Sequence, residues 1–107
     1  MNIQPLPSVA QWQVLEAMGR IDAHTALEVE KVCHQAIASA PHLALDLRGV
    51  MYMSSAGLRI LLSSFKLANA AGGEFVLVAP QENVKEVLEI SGFSSILRIV
   101  NETSELA

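Results

Sequence analysis

Between His42 and Gly73 the chain reads HLALDLRGVMYMSSAGLRILLSSFKLANAAGG, and the period of its apolar residues changes once along the way. Leu43, Ala44 and Leu45 form a short apolar run that ends at Asp46 and Leu47. This is the pattern of a strand buried on both faces. From Leu58 onward, Leu58, Leu61, Leu62 and Phe65 fall at i, i+3, i+4 and i+7, and Ala68 and Ala71 continue the stripe. That spacing predicts an amphipathic helix, with Ile60 and Leu67 off its buried face. Gly72 supplies the residue that tolerates a left-handed C-terminus. Two hydroxyls, Ser54 and Ser55, stand between strand and helix, followed by Ala56 and Gly57. A serine there reads in two ways. It can cap the helix through its oxygen, or it can carry a phosphate, which free first-turn N–H groups and the positive end of the macrodipole favour. A cap can also be a switch.

The flanks repeat the alternation. Pro5 and Pro7 confine the first ten residues to an edge strand or a lead-in. Trp12 to Met18 reads as a strand ending at Gly19. Asp22 and Thr25 introduce a helix, and Thr25-x-x-Glu28 has the form of a capping box. Ala26, Val29, Cys33, Ile37 and Ala40 make its expected core face, and Pro41 stops it. Glu74 to Ala79 reads as a second buried strand closed by Pro80. Asn83-x-x-Glu86 has the form of a cap for a helix with Val84, Val87, Leu88 and Ser91 on one face, ending at Gly92. Ile96 to Val100 reads as a last strand, and the tail as frayed or a single helical turn. Strands alternating with helices predict one α/β domain over residues 1–107.

Several classes of function are excluded by what is missing. The net charge of −4, without a cluster of Lys and Arg, argues against a nucleic-acid partner. One cysteine in 107 residues makes no internal disulfide and fits a reducing compartment. The first ten residues lack the basic and apolar regions of a signal peptide, and no run reaches the ~18 apolar residues of a membrane helix. A cytoplasmic protein with no direct membrane insertion is expected. His24, His34 and His42 match no metal-ligand spacing and are expected in solvent, with Cys33 in the core. Neither a metal nor a cofactor is expected. Ser63-x-x-Lys66 lacks the motifs that accompany a serine–lysine catalytic pair. Asp22 and Asp46 are the only aspartates, and the expected roles are a turn residue and a strand-end residue. No enzyme is expected. Met51, Tyr52 and Met53 suit either a surface that receives a partner or gaps in the core.

The central motif resembles a known family. Asp46-Leu47-x-x-Val50 followed by Met53-Ser54-Ser55-Ala56-Gly57-Leu58 is similar to the signature of STAS domains, in particular bacterial anti-sigma factor antagonists. Gly19-Arg20-Ile21-Asp22-Ala23-His24-Thr25-Ala26 resembles the family's approach to its first helix. Asn83 to Leu88, with Ser91-Gly92-Phe93, resembles its C-terminal helix and turn. The likeness implies a STAS fold, a mixed sheet of four to five strands with helices mainly on one side. It also implies partner switching. The unphosphorylated domain would bind an ATP-dependent serine kinase that doubles as an anti-sigma factor, phosphorylation at Ser55 would release it, and a serine phosphatase would reset it. Asp22, Met53, Ser54, Ala56, Gly57 and Ile60 are the expected partner contacts. Ser54 stands where the family carries aspartate. An alternative implied by the same likeness is a STAS-domain subunit of a membrane lipid or anion transport complex.

Overall fold

The computed structural model describes residues 2–106. Five strands form one sheet in the order β1-β2-β3-β4-β5. They are β1 (Asn2–Val9), β2 (Trp12–Ile21), β3 (His42–Met53), β4 (Glu74–Val78) and β5 (Arg98–Val100). β1 and β2 are antiparallel, and every later pair is parallel. Parallel neighbours require crossovers, which α1 (Ala26–Ser39), α2 (Ser55–Ala70) and α3 (Glu82–Ile90) supply. The strand order advances in one direction, so crossovers of one hand place all three helices on the same face. Val29, Cys33 and Ile37 of α1, Leu58 and Leu61 of α2, and Val84 and Leu88 of α3 accordingly share one core with Leu15, Leu43, Leu45 and Leu47. The opposite face has its own smaller cluster of Trp12, Val14, Ala44, Val76, Val78 and Val100, sealed by Leu106. Buried on both faces, β3 and β4 are the strands that read as continuous apolar runs. Among the described residues no helix is long and apolar enough to cross a membrane.

The structure corrects several expected boundaries. β2 runs past Gly19 to Ile21. Gly19 takes φ 107°, where its pairing with β3 shifts register, so the glycine accommodates an irregularity inside the strand instead of ending it. β3 continues beyond Leu47 to Met53, which leaves Asp46 within the strand, where pairing with β4 ends. β5 is only three residues long, because Phe93–Ser95 forms a short 3-10 turn ahead of it. The tail is ordered by Thr103–Leu106, another 3-10 turn. Glu105 Oε2 accepts from the N–H groups of Asn101 and Glu102 at 2.8 and 2.9 Å, and Leu106 is buried.

Neither expected capping motif forms its side-chain cap. Thr25 Oγ1 donates to the Arg20 carbonyl at 2.7 Å and accepts from Asp22 N–H at 3.0 Å, closing the β2–α1 loop instead. α3 has Gln81 as its N-cap, two residues before the expected Asn83, and Asn83 Nδ2 donates to the Met51 carbonyl at 2.7 Å. Gln81 Nε2 likewise donates to the Arg48 carbonyl at 2.8 Å. The two amides tie the start of α3 to the extension of β3.

Candidate functional site

The end of β3 delivers the chain to α2 beside the β2–α1 loop. Ser54 N–H donates to the Ile21 carbonyl at 2.9 Å, which holds the two segments together. Ser54 is extended (φ −96°, ψ 178°), and its Oγ accepts from Ala56 N–H at 3.2 Å. It is therefore the N-cap, satisfying one of the orphan donors of the first turn. Ser55 is the first helical residue and is exposed. Among the described residues no side-chain hydrogen bond engages its hydroxyl. The cap is therefore made by Ser54, and Ser55 takes no part in it.

Gly57 explains the small residue in the motif. A Cβ there would lie 2.8 Å from Met53 Cγ, 2.9 Å from Ile21 Cγ2 and 3.1 Å from the Ile21 carbonyl oxygen. The first turn of α2 thus rests directly on the ends of β2 and β3. Asp22 flanks this junction. Its Oδ1 accepts from His24 N–H at 2.9 Å, and its Oδ2 lies 3.6 Å from Arg20 Nε. The His24 N–H, aided by the charges of His24 and Arg20, holds the Asp22 carboxyl below its ordinary pKa. Arg20 also stacks on the Tyr52 ring, 4.3 Å from its centroid.

The expected contact residues separate by depth. Ser55 is exposed, and Asp22, Ser54 and Ala56 are half-buried. Met53, Gly57 and Ile60 are buried. Ile60 at 4% exposure corrects the helix face, because α2 packs against α1 as well as the sheet and so buries a wider arc than one stripe. Leu62 and Phe65 of the expected stripe are only half-buried, and Ala71 is exposed as the C-cap. The methionines answer differently: Met53 fills the core, whereas Met51 is 60% exposed beside Tyr52. Sequence reasoning missed Leu27, which is 75% exposed on α1, and Arg59 on α2. Both line a cavity of about 330 Å³ between the N-terminal halves of the two helices, together with Ala26, Glu30, Ala56 and Ile60.

The remaining reactive side chains have structural partners. Asp46 is buried, its Oδ1 accepting from Arg48 N–H at 2.9 Å. Burial pushes the Cys33 thiol from 9.0 up to about 12, which leaves it a neutral core group. His34 and His42 are half-buried, unlike the solvent positions expected of them. The His42 ring meets Trp12 edge-on at 5.2 Å. His34 Nε2 lies 3.2 Å from Ser63 Oγ, and Ser63 donates to Glu30 Oε2 at 2.8 Å. Ser63 Oγ also lies 3.0 Å from the Ile60 carbonyl, so the hydroxyl ties α2 to α1 and to its own preceding turn.

Residues 4–106 match the family model of the STAS domain. The anti-sigma F factor antagonist of Paenibacillus polymyxa is 31% identical over 99 residues, spanning 87% of this chain and 85% of that protein. The anti-sigma-B factor antagonist of Listeria monocytogenes is 33% identical over 89 residues, spanning 82% of this chain and 78% of that one. The solved structure of the anti-sigma factor antagonist SpoIIAA in its unphosphorylated form aligns with a TM-score of 0.79 at 19% identity, over 98% of this chain and 93% of that chain. The phosphorylated form of Bacillus SpoIIAA aligns at 0.73 and 18%, over 98% and 96%. These structural likenesses concern the fold; the family model and the two sequence relatives carry kinship. By that kinship the chain belongs to the STAS domain family.

Proposed function

We propose that this domain is an anti-sigma factor antagonist switched by phosphorylation of Ser55. The observation that carries the reading is the division between the two serines. Ser54 is occupied as the N-cap, and the Ser55 hydroxyl stands exposed at the positive end of α2. Unphosphorylated, the domain binds a serine kinase that is also an anti-sigma factor and frees that regulator's target. The kinase transfers the γ-phosphoryl group of ATP to Ser55 Oγ, and the hydroxyl proton leaves to the kinase or to solvent. The domain itself supplies a positioned hydroxyl and no catalytic group. A serine phosphatase hydrolyses the phosphoester and restores the binding form. The whole cycle runs in the cytoplasm, where ATP is available.

The physical core is charge at a fitted surface. Phosphorylation adds roughly −1.5 to −2 charges to an exposed hydroxyl. Enclosing a phosphate between two proteins where the partner offers it no cation costs several kcal/mol, enough to reverse a micromolar association. Support also comes from the two sequence relatives, which are anti-sigma factor antagonists. The test is intact-mass analysis after co-expression with candidate serine kinases. One phosphate is expected on the native chain and on Ser54→Ala, and none on Ser55→Ala. Fragmentation that maps the phosphate to Ser54 contradicts the assignment.

A further inference from the structure

Arg59 lies four residues beyond Ser55 in α2. Positions i and i+4 are neighbours on a helix surface, with Cβ atoms about 5–6 Å apart. Helical side chains lean toward the N-terminus, so the long Arg59 side chain, which lines the cavity toward α1, is within reach of the first turn. Arg59 is exposed, and among the described residues it has neither a hydrogen bond nor an ion pair. Other charges near the site already have partners. Arg20 has Asp22 at 3.6 Å and the Tyr52 ring at 4.3 Å, and Glu30 accepts from Ser63 at 2.8 Å. The first turn of α2 contains no acidic residue, and the N-cap is Ser54. A phosphate on Ser55 therefore meets free first-turn N–H groups and one uncommitted cation, with no carboxylate on its own turn.

Resting on the reading of Ser55 as the acceptor, we propose that Arg59 is the intramolecular partner of the phosphoserine. Once Ser55 is phosphorylated, the Arg59 guanidinium turns onto the phosphate oxygens, a match for its fork of donors. It thereby leaves the wall of the cavity where it faces Leu27 and Glu30 of α1. Phosphorylation then makes two changes at one surface: an anion appears at Ser55, and a cation is withdrawn from the groove beside it. A partner seated across both meets a different charge pattern and a different shape.

The test installs phosphoserine at position 55 during translation, without any kinase, in the full chain and in its Arg59→Gln and Arg59→Lys variants. Melting curves with and without the phosphate form a double-mutant cycle. The phosphate-induced change in Tm is expected to be more positive by about 2–6 °C with arginine than with glutamine, with lysine in between. This difference should shrink in about 1 M salt, where the Debye length is about 3 Å. The Arg59 side-chain N–H resonance should shift on phosphorylation of the native chain. Equal phosphate-induced changes in all three proteins, with an unmoved Arg59 resonance, overturn the proposal. Because no kinase is involved, a failure of kinases to modify Ser55 counts against the functional reading alone, and equal melting changes count against Arg59 alone.

Discussion

Ser54 and Ser55 are adjacent, chemically identical and physically unlike. The oxygen of Ser54 is bound to Ala56 N–H, whereas that of Ser55 faces solvent. Ser54→Ala should thus cost about 1 kcal/mol of stability through the lost cap, and Ser55→Ala should leave the denaturant midpoint nearly unchanged. Equal losses in chemical denaturation would contradict this division. Aspartate caps a helix as well as serine does, so Ser54→Asp should fold normally. Under the proposed function it should also raise the rate of Ser55 phosphorylation, measured as initial phosphate incorporation. A Ser54→Asp protein that its kinase leaves unmodified would show that the pair has adapted around serine. Two serines before Ala-Gly were legible in the sequence as a cap, a phosphate carrier or both at once. The extended backbone at Ser54 identifies it as the cap, and the reading of Ser55 as acceptor rests on family likeness.

At the scale of elements, legibility followed burial. β3 and the core face of α1 were readable because Leu43–Leu45 and Val29, Cys33 and Ile37 are buried as their spacing demands. α2 was misread by one face, since a period of 3.6 identifies a stripe but not the number of neighbours the helix has. With α1 on its flank, Ile60 is core. Ile60→Ala should therefore cost about 2–5 kcal/mol, against about 1 kcal/mol or less for Leu67→Ala on the exposed side. Comparable urea midpoints for the two variants would return Ile60 to the surface. Thr25 and Asn83 were misread because hydroxyls and amides serve distant carbonyls as readily as caps. The turn after α2 hid a distinction between two glycines. Gly72 (φ +84°) has open space around it, so Gly72→Ala costs only the backbone strain, roughly 1–2 kcal/mol. A Cβ on Gly73 would lie 2.1 Å from the Pro41 carbonyl oxygen, which itself accepts from Glu74 N–H. Gly73→Ala should be the more damaging of the two, by melting temperature, because backbone must move.

For the whole molecule, stability depends on pH through groups at opposite ends of the scale. The fold holds Asp22 below its ordinary pKa of 3.8, chiefly through the His24 N–H. Its contribution is complete above about pH 4 and is lost as pH falls through the lower folded value. Cys33 behaves inversely. Burial raises its thiol from 9.0 to about 12, so stability is unaffected below pH 9 and declines as pH rises from there toward 12. The native thiol should accordingly resist alkylation at pH 8 and react once the chain is unfolded; rapid labelling of the native protein would contradict its burial. At this scale the chain is a sheet covered by helices on one side, with Ser55 exposed at the N-terminal end of α2. The central claim concerns affinity, and calorimetric titration tests it most directly. The serine kinase of the proposed cycle is titrated with the unmodified domain and with the phosphoserine form. Phosphorylation should weaken binding by about 100-fold or more, the equivalent of roughly 3 kcal/mol. Equal affinities for the two forms would contradict a phosphorylation switch at Ser55.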